Sequence, residues 1–128
     1  MIVIDASAFV AIVEEEDGFE RLVRTLVAFD ARRISPVSFV EVALILARRH
    51  KSPIELADRY LRQAAIELHP IDSDQANWAR RAHLTYGKGR HPARLNLGDC
   101  FSYAAAKALD APLLYVGGDF ARTDVRTA

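Results

Sequence analysis

The sequence predicts one α/β domain with a short, mostly parallel sheet covered by helices on both faces. Two observations carry that expectation. Brief apolar runs recur along the chain, clearest as Ile2 to Ile4 near the start and Leu113 to Val116 near the end. Between them lie amphipathic or Ala-rich stretches of helical length, so strand and helix alternate and imply βαβ units.

Each element follows from local chemistry. Ile2 to Ile4 reads as a buried strand that ends at Asp5, with a helix directly behind it. Phe19, Leu22, Val23, Leu26 and Val27 recur at spacings of three and four, which predicts an amphipathic helix from Gly18 to Asp30. Arg32 to Ser35 reads as a second short strand. After Pro36, the stretch from Ser38 to His50 reads as a helix with basic residues in its last turn, where they complement the macrodipole. Ser52-Pro53 opens another helix, with Ile54, Ala57, Leu61 and Ala65 on one side. Glu67 to Ile71 is the candidate third strand. A helix from Ser73 stops at Gly87, and a polar loop from Lys88 to Asn96 leads into the Ala-rich helix Gly98 to Leu109. Leu113 then begins the fourth strand.

The 128 residues are 51% hydrophobic, enough for one domain that buries roughly two thirds of its unfolded surface. No linker, internal repeat or low-complexity tract divides the chain. Seventeen basic and seventeen acidic side chains cancel, so any nucleic-acid site is local rather than a whole-protein field. The start, MIVIDAS, lacks the basic region of a signal peptide, and no window approaches the roughly 20 apolar residues of a membrane span. The single cysteine, Cys100, excludes an internal disulfide and agrees with a cytoplasmic setting.

Four acids stand where a ligand would meet such a sheet. In open parallel sheets ligands bind at the carboxyl ends of strands, and Asp5 and Asp119 both follow predicted strands. Glu41 lies three residues after Ser38 and Asp99 three after Asn96, so each also has a plain reading as a helix-capping residue. If the four converge, two carboxylates about 4 Å apart repel by roughly 4 kcal/mol at an effective dielectric near 20. A divalent cation relieves that conflict, and all-oxygen ligation suits Mg²⁺ or Mn²⁺ rather than zinc. His50, His69, His83 and His91 form no HExxH and no CxxC is present. His91 reads as a solvated loop residue, the other three as edge or surface residues.

Four blocks in order, IDASAFVA, SFVEVA, LNLGDCFSYAAAKA and LLYVGGDFARTDV, resemble the PIN-domain ribonucleases, specifically the VapC-type toxins of toxin–antitoxin modules. The resemblance covers the chain nearly end to end. It implies a PIN-like three-layer α/β/α fold with a central sheet of four to five strands. It implies an acidic cluster of Asp5, Glu41, Asp99 and Asp119, with Asp5 and Asp99 as direct Mg²⁺ ligands and Mn²⁺ as a possible substitute. Ser7 matches a small hydroxyl residue that bonds the cluster or the substrate; its alternative is an N-cap of the first helix. Asp124 is either outer-shell charge or an exposed turn residue. Many PIN domains carry a hydroxyl residue before the glycine of the last acid, where this chain has Val116-Gly117-Gly118-Asp119, so Asp119 is open to acting through water.

The activity implied is metal-dependent endoribonuclease cleavage of tRNA or another structured RNA by an activated water, inhibited by a cognate VapB-type antitoxin. Homodimers and hetero-oligomers with the antitoxin, and no membrane, belong to the same expectation. Lys88, Arg90 and Arg94 precede Asp99 and are the candidates for holding flanking phosphates; a solvated basic loop is the plain reading. Cys100 and Trp78 read as core, and Tyr86 and Tyr103 as core or edge packing rather than base-stacking platforms. Receiver and haloacid-dehalogenase folds fit poorly, because Asp5 has no second acid beside it and Ser7 stands where the second Asp would be. A DNA-directed or nonspecific nuclease and a non-catalytic PIN-fold binding module remain the alternatives.

Overall fold

The computed structural model describes residues 1–128. Four parallel strands form the sheet: β1 (Ile2–Ile4), β2 (Arg32–Ile34), β3 (Ile66–Leu68) and β4 (Leu113–Leu114), in the order β3-β2-β1-β4. A single parallel bridge from Leu113 to Thr127 adds the stub of a fifth strand beside β4. Helices α1 (Ala6–Val13), α2 (Phe19–Val27), α3 (Pro36–Leu46) and α4 (Pro53–Gln63) precede β3, and α5 (Ser73–Tyr86) and α6 (Leu97–Ala108) follow it.

The pleat of β1 explains the three layers. Successive strand side chains point to opposite faces, so Ile2 and Ile4 enter one core with Phe9, Leu22, Leu26, Val42 and Leu46 of the first three helices. Val3 enters the other, with Ala79, Ala82, Cys100, Tyr103 and Leu113. Ile2, Val3 and Ile4 are all fully buried, and removing each such side chain from water stabilises the fold by about 1.5–3 kcal/mol. The Ala-rich face of α6 lets it lie close to the sheet and to α5, since Ala104, Ala105 and Ala106 are buried.

Several boundaries differ from the sequence reading. The second helix stops at Val27 because Arg32, reaching back from β2, caps it: Nε donates to the carbonyls of Leu26 and Phe29 at 3.0 and 2.9 Å, and Nη2 to Val27 at 3.3 Å. Its Nη1 donates to Ala64 O at 2.7 Å, just beyond α4. α3 begins at Pro36 with Ser35 as its cap and ends at Leu46 instead of running from Ser38 to His50. β3 starts at Ile66 and ends at Leu68; His69 N makes the last rung to Ile34 O at 3.0 Å, and Pro70 has no N–H to continue the ladder.

Arg32 thus satisfies carbonyls at the ends of two helices from one half-buried guanidinium. Arg32→Ala is expected to lower the urea-unfolding free energy by about 2–3 kcal/mol, with an unchanged folded circular-dichroism spectrum. An unchanged midpoint would mean that water replaces the guanidinium at no cost.

Candidate active site

The chain winds from β1 outward to β2 and β3, then returns to place β4 on the other side of β1. The switch point of the sheet therefore lies between the carboxyl ends of β1 and β4, the place where open α/β sheets bind ligands. Asp5 stands there, its backbone N–H donating to Leu114 O at 2.9 Å.

Asp5 is buried, and its carboxylate is satisfied by three neutral donors. Oδ2 accepts from the backbone N and the hydroxyl of Ser7, at 3.0 and 2.7 Å, and Oδ1 accepts from the Ser102 hydroxyl of α6. Ser102 in turn pairs with Ser38 of α3 at 2.8 Å. Ser7 Oγ also accepts from Val116 N at 3.0 Å, which ties the loop after β4 to the end of β1. Asp5, not Ser7, is the N-cap of α1.

Glu41 projects from the middle of α3. The capping box with Ser38 does not form, because the helix already begins at Pro36 and Ser38 is buried against Ser102. The Glu41 carboxyl lies against the Cα of Gly98, so a Cβ at that position would collide with it. Burial first, then the charges of Asp5 and Asp99, push the Glu41 pKa up to about 7. Asp99 does form its capping box: Asn96 N donates to Oδ2 at 3.0 Å, and Asp99 N donates to Asn96 Oδ1 at 2.8 Å. It belongs to the cluster as well. Burial, followed by the charges of Asp5 and Asp119, raises its pKa to about 6 against the lowering effect of the Asn96 amide.

The four acids therefore share one electrostatic neighbourhood, with Asp119 exposed at its lip, just before a short 3-10 helix at Phe120–Arg122. None of the four salt bridges in the protein reaches any of them. No three acidic, His or Cys side chains stand close enough to cage an ion by themselves. Magnesium characteristically takes one or two carboxylates and keeps several waters, so the donor set fits that ion: hard oxygens, like charges close together, and no competing cation.

Lys88, Arg90 and Arg94 are exposed and unpaired on the turn that leads to Asn96, with Arg94 at a φ of +55°. His91 is not a solvated loop residue. It is half-buried, its Nδ1 accepts from Ala93 N at 3.0 Å, and its ring packs edge-on against Tyr86. Tyr103 is core, with its hydroxyl donating to Asp124 at 2.6 Å. Burial disfavours the Asp124 carboxylate, but hydrogen bonds from Lys107 and Tyr103, with the Lys107 charge, hold its pKa below the ordinary value. Asp124 is thus a partner of α6 rather than an outer member of the cluster. Cys100 is fully buried and its thiol is pushed up to about 11 by burial and then by Asp99, which makes it inert packing. Trp78 is only partly buried, with Arg81 and Lys107 over its ring.

Sequence reasoning missed Ser102, Ser38 and Gly98 as parts of the site. Ser102 carried a usable signal, as the one serine a helical turn after Asp99 in a mostly apolar run.

Fold and site together define a three-layer α/β protein with a cluster of carboxylates at the switch point of its parallel sheet. The PIN domain family profile matches residues 2–126, and the chain belongs to that family. Within it, Ribonuclease VapC30 of Mycobacterium tuberculosis is 46% identical over 127 residues, covering 98% of this chain and 96% of that protein. Ribonuclease VapC of Mycolicibacterium smegmatis is 46% identical over 125 residues, 96% of each chain. The chain is accordingly a member of the VapC ribonucleases. Among solved structures, Mycobacterium tuberculosis VapC20, described as a sarcin-ricin loop cleaving toxin, superimposes with a TM-score of 0.77 at 16% identity, over 100% of this chain and 98% of that one. VapBC2 of Rickettsia felis, bound to a promoter DNA fragment, gives 0.76 at 16% identity, over 99% and 96%. At that identity the likeness extends to the fold.

The raised pKa values set a pH dependence. Folded Glu41 keeps a proton up to about 7, whereas the unfolded side chain loses it near 4.5, so this group's contribution is lost as pH rises through that window. Asp99 acts in the same sense between 3.8 and about 6. Metal-free protein is expected to have a higher Tm at pH 5 than at pH 8, and Glu41→Gln to show a shallower decline and a higher Tm than wild type at pH 8. Identical pH profiles would remove Glu41 from the cluster.

Proposed function

We propose that this chain is the toxin of a toxin–antitoxin pair and cleaves tRNA or another structured RNA endonucleolytically at the acidic edge of its sheet. Magnesium is the cofactor of this reading, with Mn²⁺ as a substitute. The observation that carries it is the gathering of Asp5, Glu41, Asp99 and Asp119 at the switch point with no cationic side chain to neutralise them.

Asp5 and Asp99 are the residues to hold the metal. Ser7 and Ser102 fix the Asp5 carboxylate from opposite sides, and the Asn96 cap occupies one oxygen of Asp99 and leaves the other free for the ion. Glu41, held against Gly98, and Asp119, on the loop anchored by Ser7, complete the acidic rim. The bound ion would supply an activated water and stabilise charge on the attacked phosphate. Lys88, Arg90 and Arg94 carry the flanking phosphates in this reading, and a neutral chain needs such a local site. Cys100, buried and with a raised pKa, takes no part.

A VapB-type antitoxin is the proposed partner, in a hetero-oligomer built on a homodimer in the cytoplasm. The outer side of α3 supports a partner, since Val40 and Leu44 are 54% and 65% exposed and Phe39 is 36% exposed. No helix is long and apolar enough to cross a membrane.

The test is cleavage of a labelled tRNA pool and a matched single-stranded DNA with Mg²⁺, with Mn²⁺ and with EDTA. RNA products that require metal are expected. Asp99→Asn is expected to lose more than the ~10–100-fold typical of outer-shell partners while keeping its fold. DNA cleaved as readily as RNA would replace the reading with a nonspecific nuclease, and full activity in EDTA would overturn the metal dependence.

A further inference from the structure

Away from the acidic edge, the strongest unassigned feature is a second concentration of charge. Residues 48–62 carry Arg48, Arg49, Lys51, Arg59 and Arg62 against only Glu55 and Asp58, in a chain whose total charge is zero. All five cations are exposed, and none takes part in any salt bridge of the protein. Three of them, Lys51, Arg59 and Arg62, line one open cleft of about 440 Å³ together with Ser52 and Glu55. Arg59 and Arg62 are three residues apart on α4, a spacing at which like charges face each other and destabilise the helix.

The same cleft takes in the start of α4, whose N-cap Ser52 makes no side-chain cap. First-turn amides there are left without that partner, and the helix dipole favours negative charge. His50, also in the lining, is already committed through Nε2 to Glu14 at 2.7 Å and holds the wall in place. Glu55 is the one acid in the cleft, so the lining keeps a net positive charge.

We infer that this cleft is a second anchoring site for the RNA sugar–phosphate backbone, separate from the cleavage site. The inference rests on the ribonuclease reading for its ligand class. Guanidinium groups match phosphate oxygens bidentately, whereas Leu56 is the only hydrophobic residue in the lining, no Phe, Tyr or Trp is present to stack a base, and the one ring, His50, is held by Glu14. That composition recognises backbone charge without sequence. It also disfavours a polypeptide partner, for which α3 offers three exposed apolar side chains together, Phe39, Val40 and Leu44, whereas α4 adds only Ile54 near the cleft. The two sites sit toward opposite ends of α3. Ser38 touches the Asp5 network, Leu46 is eight residues and about 12 Å further along the helix, and the cleft begins beyond it at His50. Only an RNA long or folded enough to span that distance engages both.

The test combines Lys51→Gln, Arg59→Gln and Arg62→Gln, all at exposed positions, with circular dichroism confirming the fold. In an Asp99→Asn background, Kd is measured for a structured RNA and for an oligonucleotide of a few residues across a salt series. The triple variant is expected to bind the structured RNA at least about 10-fold more weakly and to lose about two from its log–log salt slope, with the short oligonucleotide unaffected. In otherwise wild-type protein the same change is expected to raise KM for the long RNA and leave kcat unchanged. Unaltered Kd and slope for the structured RNA overturn the inference. So does a defect confined to binding of the co-expressed antitoxin, which makes the cleft a site for an acidic polypeptide. Absence of metal-dependent RNA cleavage by the wild-type protein would instead defeat the ribonuclease reading, while the binding measurement still decides the cleft.

Discussion

The structure turns on a buried carboxylate. Asp5 ends β1, caps α1, joins the ladder to β4 through its N–H, and receives hydroxyls from Ser7 and from Ser102 of α6. Ser102 continues the chain to Ser38 of α3. A carboxylate withdrawn from water is tolerated only when its lone pairs are filled, and here the donors that fill them come from elements on both faces of the sheet. The requirement to satisfy one acid thus sets the relative positions of α1, α3, α6 and the loop after β4, the last three of which carry the other three acids.

Around that node the protein holds groups that oppose stability. Glu41 and Asp99 are partly desolvated beside like charges, and both protonate more readily than free carboxyls. The rest of the fold offsets this with ordinary means: two apolar cores on either side of β1, the close contact of α5 with α6, and the Arg32 cap at the ends of α2 and α4. Gly98 has a distinct part, since it is the absence of a side chain that admits Glu41 beside Asp99. Departures of this kind from the ordinary rules of burial and charge are expected at functional sites and are offset elsewhere in the fold.

Charge is distributed with the same economy. A chain with no net charge cannot attract a polyanion at long range, so local groups of unpaired cations must do so, and two such groups stand on the turn before α6 and at the cleft at α4. Four other cations are spent on structure: Arg32 on carbonyls, Arg33 on Glu67, Lys107 on Asp124 and Arg126 on Asp110. The difference between a structural and an available cation is visible only in which partner each has found.

The fold class was legible in the sequence because period and composition act locally: β-branched residues at Ile2–Ile4, three-and-four spacing in α2, alanines in α6. Asp99's cap was legible for the same reason, lying three residues from its partner. The box expected of Glu41 with Ser38 did not form, because Ser35, three residues before Ser38, offered a better start to α3 with Pro36 behind it. β3 was placed late because its limits depend on Ile34 of a neighbouring strand and on Pro70, not on its own hydrophobicity. Alone, then, the sequence determined the alternation of elements, the neutral charge and the identity of the four acids. Only the tertiary structure decided that β4 crosses to the far side of β1, that Ser102 reaches Asp5 across 97 residues and Ser38 reaches Ser102 across 64, and that Gly98 yields its space to Glu41. Such contacts are set by how layers pack, and no local pattern encodes them.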